Sequence, residues 1–238
     1  MGIFGGKDDT PQPGSAIERA GQERPADGLG GAAAGLVERL LDTGIDGRGP
    51  LDGAQRVADS ARSHAADTEA AIDKVVRQHL TVAGAGGFVT GLGGFVTLPV
   101  ALPANVVSFY LVATRMTAAI AALRGYDLRQ PQIRSAVLLT LVGADADDLL
   151  KKAGIAGGGS RLTNLAAQRL PGPALMVVNK AIGFRLLTTM GRSTLARFGR
   201  YVPVVGGAVG AGLDTYMLKR IADQARQEFP PVAPALTR

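Results

Sequence analysis

The chain has no cysteine and no tryptophan, and only two of its 238 residues are histidine. Without cysteine there is no disulfide, no thiolate metal site and no thiol nucleophile, a composition suited to a reducing cytosol. Two histidines without cysteine argue against a zinc centre, and no H-E-x-x-H occurs. No metal and no cofactor are therefore expected. Aromatic residues make up 5%, too few for an aromatic-rich β-sandwich or for stacking single-stranded bases, so no nucleic-acid partner is expected. No G-x-x-x-x-G-K-[ST] is present. "GAGGFV" and "GLGGFV" lack the third glycine of a dinucleotide fingerprint, and no strand pattern precedes them. "GGGSR" is not a nucleophile elbow, because Leu162 stands where glycine is needed. The opening "MGIFGGKDDTPQPGS" has no basic stretch followed by an apolar run, which reads against a secretory signal. Gly6 stands where a myristoylation site needs Ser or Thr.

What is present is apolar and small. Hydrophobic residues reach 46%, enough for a substantial core, and Ala, Gly, Val and Leu dominate, which favours closely packed helices. Net charge is +6 and unevenly spread. Residues 1–50 carry five Lys/Arg and eight Asp/Glu; between Leu149 and Ala222 there are eleven Lys/Arg and one acid, Asp214. One-sided basic charge points to an anionic partner, of which lipid headgroups are the first candidate.

Residues 1–30 are rich in Gly, Pro and charge and read as disordered. The chain divides into an N-terminal extension over 1–50, a helical domain over 51–229 and a tail over 230–238. Within the extension, Leu36, Val37, Leu40 and Leu41 suggest a short helix over 33–45, broken by "DGRGPLDG". A long helix begins at Ala54, carries Ile72, Val75, Val76 and Leu80 on one face, closes near His79 and runs into a glycine-rich segment. A second helix starts around Pro99 and Pro103 and stops at Gly125, a natural C′ residue. Helices then follow over 132–143, 146–153 and 160–170, over 173–190 ending at Gly191, over 193–201, and over 203–229. The class is all-α: a multi-helix bundle around a glycine-rich apolar helical hairpin.

That hairpin holds the least ordinary pattern. Gly-Gly-Phe-Val-Thr occurs at 86–90 and again at 93–97, and six glycines fall between Gly84 and Gly94. No charged residue occurs over 81–114, a run of 34. About 20 apolar residues suffice for one transmembrane helix, but Pro99 and Pro103 sit near the middle. Each glycine costs a helix about 1 kcal/mol relative to alanine, so something must offset the series. Small residues on one face admit a second backbone at close range. Gly86, Gly87, Gly91, Gly93 and Gly94 form one such set, and Gly206 and Gly210 in "VVGGAVGAG" form another. The approaching surface is another helix or lipid.

Polar residues interrupt apolar faces at Arg115, Asn179 and Asp214, with Lys180 and Arg185 nearby in sequence. A buried charge needs a partner, and Asp214 is expected to pair with Arg115, Lys180 or Arg185. If the chain were an enzyme, Asp214, Lys180 and His79 would be its candidate catalytic groups, but no known catalytic pattern joins them.

Three stretches carry a resemblance. "GFVTGLGGFVTLPVALPANVVSFYLVATRMTAAIAALRGYDL" (87–128), "VNKAIGFRLL" (178–187) and "VPVVGGAVGAGLDTYMLKRIADQARQEF" (202–229) resemble, in that order, the core of the EcsC protein family. The third also looks like glycine-rich helical modules attached to some bacterial GTPases. The resemblance implies a bacterial, all-α protein with membrane or transporter association, since the family's namesake is encoded beside an Ecs-type ABC transporter. It supplies no reaction. The positions it matches are Gly91, Gly94, Pro99, Pro103, Arg115, Gly125, Asn179, Lys180, Gly183, Gly206, Gly207 and Asp214, read first as fold-defining.

The expectation is a non-enzymatic helical protein at the inner face of the cytoplasmic membrane, peripheral or inserted by its hairpin, with anionic lipid or a membrane protein as partner. The alternatives are a soluble helical hydrolase acting on lipid or peptide, and a soluble scaffold docking through its N-terminal segment.

Overall fold

The second half of the helix over 104–123 leaves no face for water. Val107, Tyr110, Ala113 and Thr114 are buried, and so is every residue from Met116 to Leu123. A helix buried all round over two turns has to be central, and the other elements are arranged about it. The structure is a computed structural model and describes residues 29–49, 51–92, 104–143, 146, 149–150, 172–197 and 203–232. Its helices are α1 (Leu29–Arg39), α2 (Ala54–Arg62), α3 (Thr68–Leu92), the central α4 (Ala104–Leu123), α5 (Pro131–Val142), α6 (Gly172–Arg197) and α7 (Pro203–Glu228), with a π-helical segment, Leu40–Asp46, continuing α1. No β-strand occurs among the described residues, so the fold is all-α.

Helix α4 touches α2, α3, α5, α7 and the π-helical segment. Helix α7 lies along most of α3, and α6 packs on α1 and α5. Direction follows from the contacts at one end. Arg124, just past α4, bonds Glu69 at the start of α3 at 2.8 Å, and Arg226 near the end of α7 reaches Glu69 at 3.6 Å and Asp73 at 2.5 Å. Helix α3 is therefore antiparallel to both α4 and α7.

Local chemistry sets the ends. Helix α4 stops as its sequence predicts: Gly125 has φ 94°, its N–H bonds the Ala122 carbonyl, and the Tyr126 N–H reaches back to Ala121. That is a Schellman turn, which L residues with a Cβ resist. The chain end docks on it. The Val232 N–H bonds the Arg124 carbonyl, the Tyr126 hydroxyl donates to Pro230 O at 2.9 Å, and the Tyr126 ring meets fully buried Phe229 edge-on at 5.4 Å. Helix α5 opens with Pro131 in its first turn. Its Arg134 forms a two-pronged pair with Asp46, 2.7 and 2.6 Å, tying it to the end of the π-helical segment.

Several boundaries differ from the sequence expectation. The helix expected to run unbroken from Ala54 is two, because the Asp67 carboxylate accepts the Ala70 N–H at 2.8 Å and starts α3 afresh. His79 does not close a helix, since α3 continues to Leu92. Gly191 does not end α6, which runs on to Arg197 and absorbs the start of the short helix expected over 193–201; a single glycine costs less than breaking a helix that is already packed. The extension expected over 1–50 overlaps the core: Ala33, Leu36, Val37, Leu40 and Ile45 are buried in it. Residues 1–28, the turn over 93–103 with Gly93, Gly94, Pro99 and Pro103, the helix over 160–170 and the tail beyond 232 lie outside the described residues. So does most of the expected helix over 146–153.

The α1–α6 crossing depends on Gly183. A Cβ there would lie 2.5 Å from the Ala33 carbonyl oxygen and 2.9 Å from Val37 Cγ2. Backbone has to move to admit it, so Gly183→Ala is expected to lower the unfolding free energy by about 1–3 kcal/mol. Gly35→Ala, in open space on α1, is expected to raise it by about 0.5–1 kcal/mol. Urea melts of both variants test this; equal shifts in one direction would contradict the close approach.

Candidate functional site

Charge is segregated along the α3/α4/α7 sheaf. Helix α3 is uncharged from Thr81 to Leu92, α4 from Ala104 to Thr114 and α7 from Pro203 to Leu213. The antiparallel arrangement puts all three stretches at the same end. Counted along the helices from the Arg226–Glu69–Asp73 cluster, Gly210 comes level with Gly87 and Gly206 with Gly91. Gly86 lies beside them in α3. Each stretch is eleven or twelve residues, or roughly 17 Å of helix.

The border of this end is polar in one sense and apolar in the other. Val82 on α3 is 56% exposed and Tyr216 on α7 is 58% exposed, with Leu213 and Met217 exposed beside Tyr216. One turn further along stand Arg77 on α3 and Lys219 and Arg220 on α7, all exposed. None of these three cations makes an ion pair among the described residues. Half-buried Asp214, which has an interaction partner, stands at the border itself, and beyond the cations Glu69 and Asp73 are held in pairs by Arg124 and Arg226.

A half-buried arginine and a buried histidine sit inside the sheaf at the level of Arg77. Arg115 is half-buried, and its Nε has no hydrogen-bond partner among the described residues. Burial acts against its charge and the Asp52 carboxylate acts for it. His79 is buried, and its Nδ1–H donates to the Val75 carbonyl at 2.8 Å. Burial holds the His79 pKa below the ordinary histidine value; the bond to Val75 opposes this, and the nearby Arg115 charge adds to it. The folded protein thus favours a neutral imidazole with its proton on Nδ1.

The remaining expected residues scatter. Asn179 on α6 is half-buried and its Oδ1 accepts the Ser135 hydroxyl of α5 at 2.9 Å. Ser135 has no sequence pattern that marks it. Lys180 is exposed, Arg185 and Asp214 are half-buried, and each of the three has an interaction partner. As a candidate catalytic set, His79 on α3, Lys180 on α6 and Asp214 on α7 come from helices with different neighbours: α6 packs on α1 and α5, α7 on α3, α4 and α5. No group of three or more potential metal ligands occurs among the described residues. No helix among them is long and apolar enough to cross a membrane.

The order of the three resembling stretches, now seen as α3–α4, α6 and α7, is matched by comparison with known families: the model of the EcsC protein family covers residues 46–230. The chain belongs to the EcsC protein family. No curated protein and no solved structure matches it. The EcsC match begins at the end of the π-helical segment, so α1 precedes it and nevertheless packs on α6, a helix within it.

His79 makes stability depend on pH. An unfolded chain protonates this imidazole near 6.5, whereas the folded chain resists. Its contribution is fully present above that pH and is lost as pH falls through the lower folded value. The urea midpoint is therefore expected to fall between pH 7.5 and 5, and His79→Gln should flatten that fall. An unchanged slope in the variant would remove His79 as the cause.

Proposed function

We propose that this EcsC-family chain is a non-enzymatic protein of the inner face of the cytoplasmic membrane, attached peripherally through the uncharged end of the α3/α4/α7 sheaf, where it acts beside a membrane partner such as a transporter. The observation that carries this reading is the sequence of layers along one sheaf. An uncharged, glycine-rich end is followed by exposed Val82, Leu213, Tyr216 and Met217, then by exposed Arg77, Lys219 and Arg220, none of which makes a close ion pair among the described residues. Tyrosine at such a border suits the amphipathic headgroup zone. Cations just behind it suit anionic lipid, at about 1 kcal/mol each.

Length favours dipping over crossing. Roughly 17 Å of uncharged helix is little more than half of a hydrocarbon core about 30 Å thick. The glycines of α3 and α7 face one another at the same level in this reading, so their small size serves helix contact and leaves the outer faces for lipid.

Flotation with phosphatidylcholine vesicles, with and without phosphatidylglycerol, tests it. The chain is expected to float with the anionic vesicles and to be released by salt. The triple variant Arg77→Gln/Lys219→Gln/Arg220→Gln should bind about a hundredfold more weakly, three losses of about 1 kcal/mol each. Failure to float at any anionic content would overturn the proposal.

A further inference from the structure

A cleft of about 550 Å³ opens between α4, α5 and α7. This is within the range of small-molecule sites, about 300–1,000 Å³. Its lining is mixed, with an apolar strip made by Phe109 from α4, Leu141 from α5 and Met217 and Ile221 from α7. Five polar side chains stand beside this strip: Tyr110 from α4, Thr140 from α5, and Tyr216, Arg220 and Gln224 from α7. Tyr110 is only 6% exposed, yet its hydroxyl has no hydrogen-bond partner among the described residues. The hydroxyl is not one of the fully enclosed unbonded polar atoms, so it opens onto the cleft and can be bonded from there. Arg220 is exposed and equally without an acceptor among them.

We propose that this cleft binds one molecule of a single-chain anionic amphiphile of the fatty-acid or lysophospholipid kind. The acyl chain lies along Leu141, Met217 and Ile221. The anionic head takes the Arg220 guanidinium, with the Tyr110 hydroxyl donating to an oxygen of the same molecule. A charge-assisted bond to Arg220 fixes the head at the solvent side, and contact with the apolar strip favours an amphiphile over a hydrophilic anion of similar charge. The inference does not depend on membrane attachment, because it concerns monomers in water.

The absence of tryptophan makes a direct assay available. Tyr216→Trp, at an exposed position on the cleft wall, gives the full chain a single indole. Dodecyl phosphate, kept below its micelle concentration, is expected to shift the emission of that indole saturably with one-to-one stoichiometry. Inorganic phosphate should not. Adding Arg220→Gln should weaken dodecyl phosphate at least tenfold while leaving neutral dodecyl maltoside unchanged. Adding Met217→Glu, on a partly exposed wall position, should abolish both. Arg77→Gln/Lys219→Gln should leave dodecyl phosphate binding intact even as it weakens vesicle binding, which separates this proposal from the membrane reading. A shift that never saturates, that appears only with micelles, or that inorganic phosphate reproduces would overturn it.

Discussion

Glu69 forms ion pairs with two arginines, Arg124 just past α4 and Arg226 on α7, and the layout of the sheaf depends on that convergence. Each ion pair is partly exposed and weak as a stabilising device. Its importance is directional. With the ends of α4 and α7 brought to the start of α3, the three uncharged stretches can only emerge together at the other end. The Schellman turn at Gly125 and the docking of Tyr126 and Phe229 brace the same end, and burial of Phe229 is worth far more than the ion pairs, about 3–5 kcal/mol if truncated to alanine.

How far this was legible in the sequence varies by element. The uncharged apolar run over 104–114 pointed to a helix without deciding between a protein and a lipid neighbour, and Gly125 marked its end, because a left-handed C′ position admits little else. Pro131 likewise marked the start of α5. The helix break before α3 was missed because Asp67 acts through one local bond that a long apolar period conceals. Gly191 misled, since tertiary packing outweighs one residue's propensity. The short helix over 33–45 was legible from Leu36, Val37, Leu40 and Leu41, but its π-helical second half and its place in the core were not, because a surrounding composition rich in Gly and acid reads as an extension. At the site, Arg115 and Asn179 were found as polar breaks in apolar faces. Tyr110 and Ser135 were not, since neither differs in pattern from ordinary core residues.

The same geometry bears on cost. Arg115 and His79 lie side by side inside a helical sheaf, and both pay for burial. A neutral imidazole limits the repulsion. Placing Arg115 at the inner edge of the uncharged stretch, and not within it, keeps its charge near Asp52 and the aqueous half of the molecule. Charge, exposure and glycine content thus change together along one axis, and the account of function follows from that shared axis more than from any single residue.

The most direct test uses the absence of cysteine. Single cysteines placed at Val82 or Leu213, at the uncharged border, and at Gln55, on exposed α2, can each carry an environment-sensitive nitrobenzoxadiazole label. On adding vesicles rich in phosphatidylglycerol, the labels at 82 and 213 should brighten and shift to the blue while the label at 55 stays unchanged. Equal shifts at all three positions, or a shift confined to 55, would contradict an oriented attachment through the glycine-rich end.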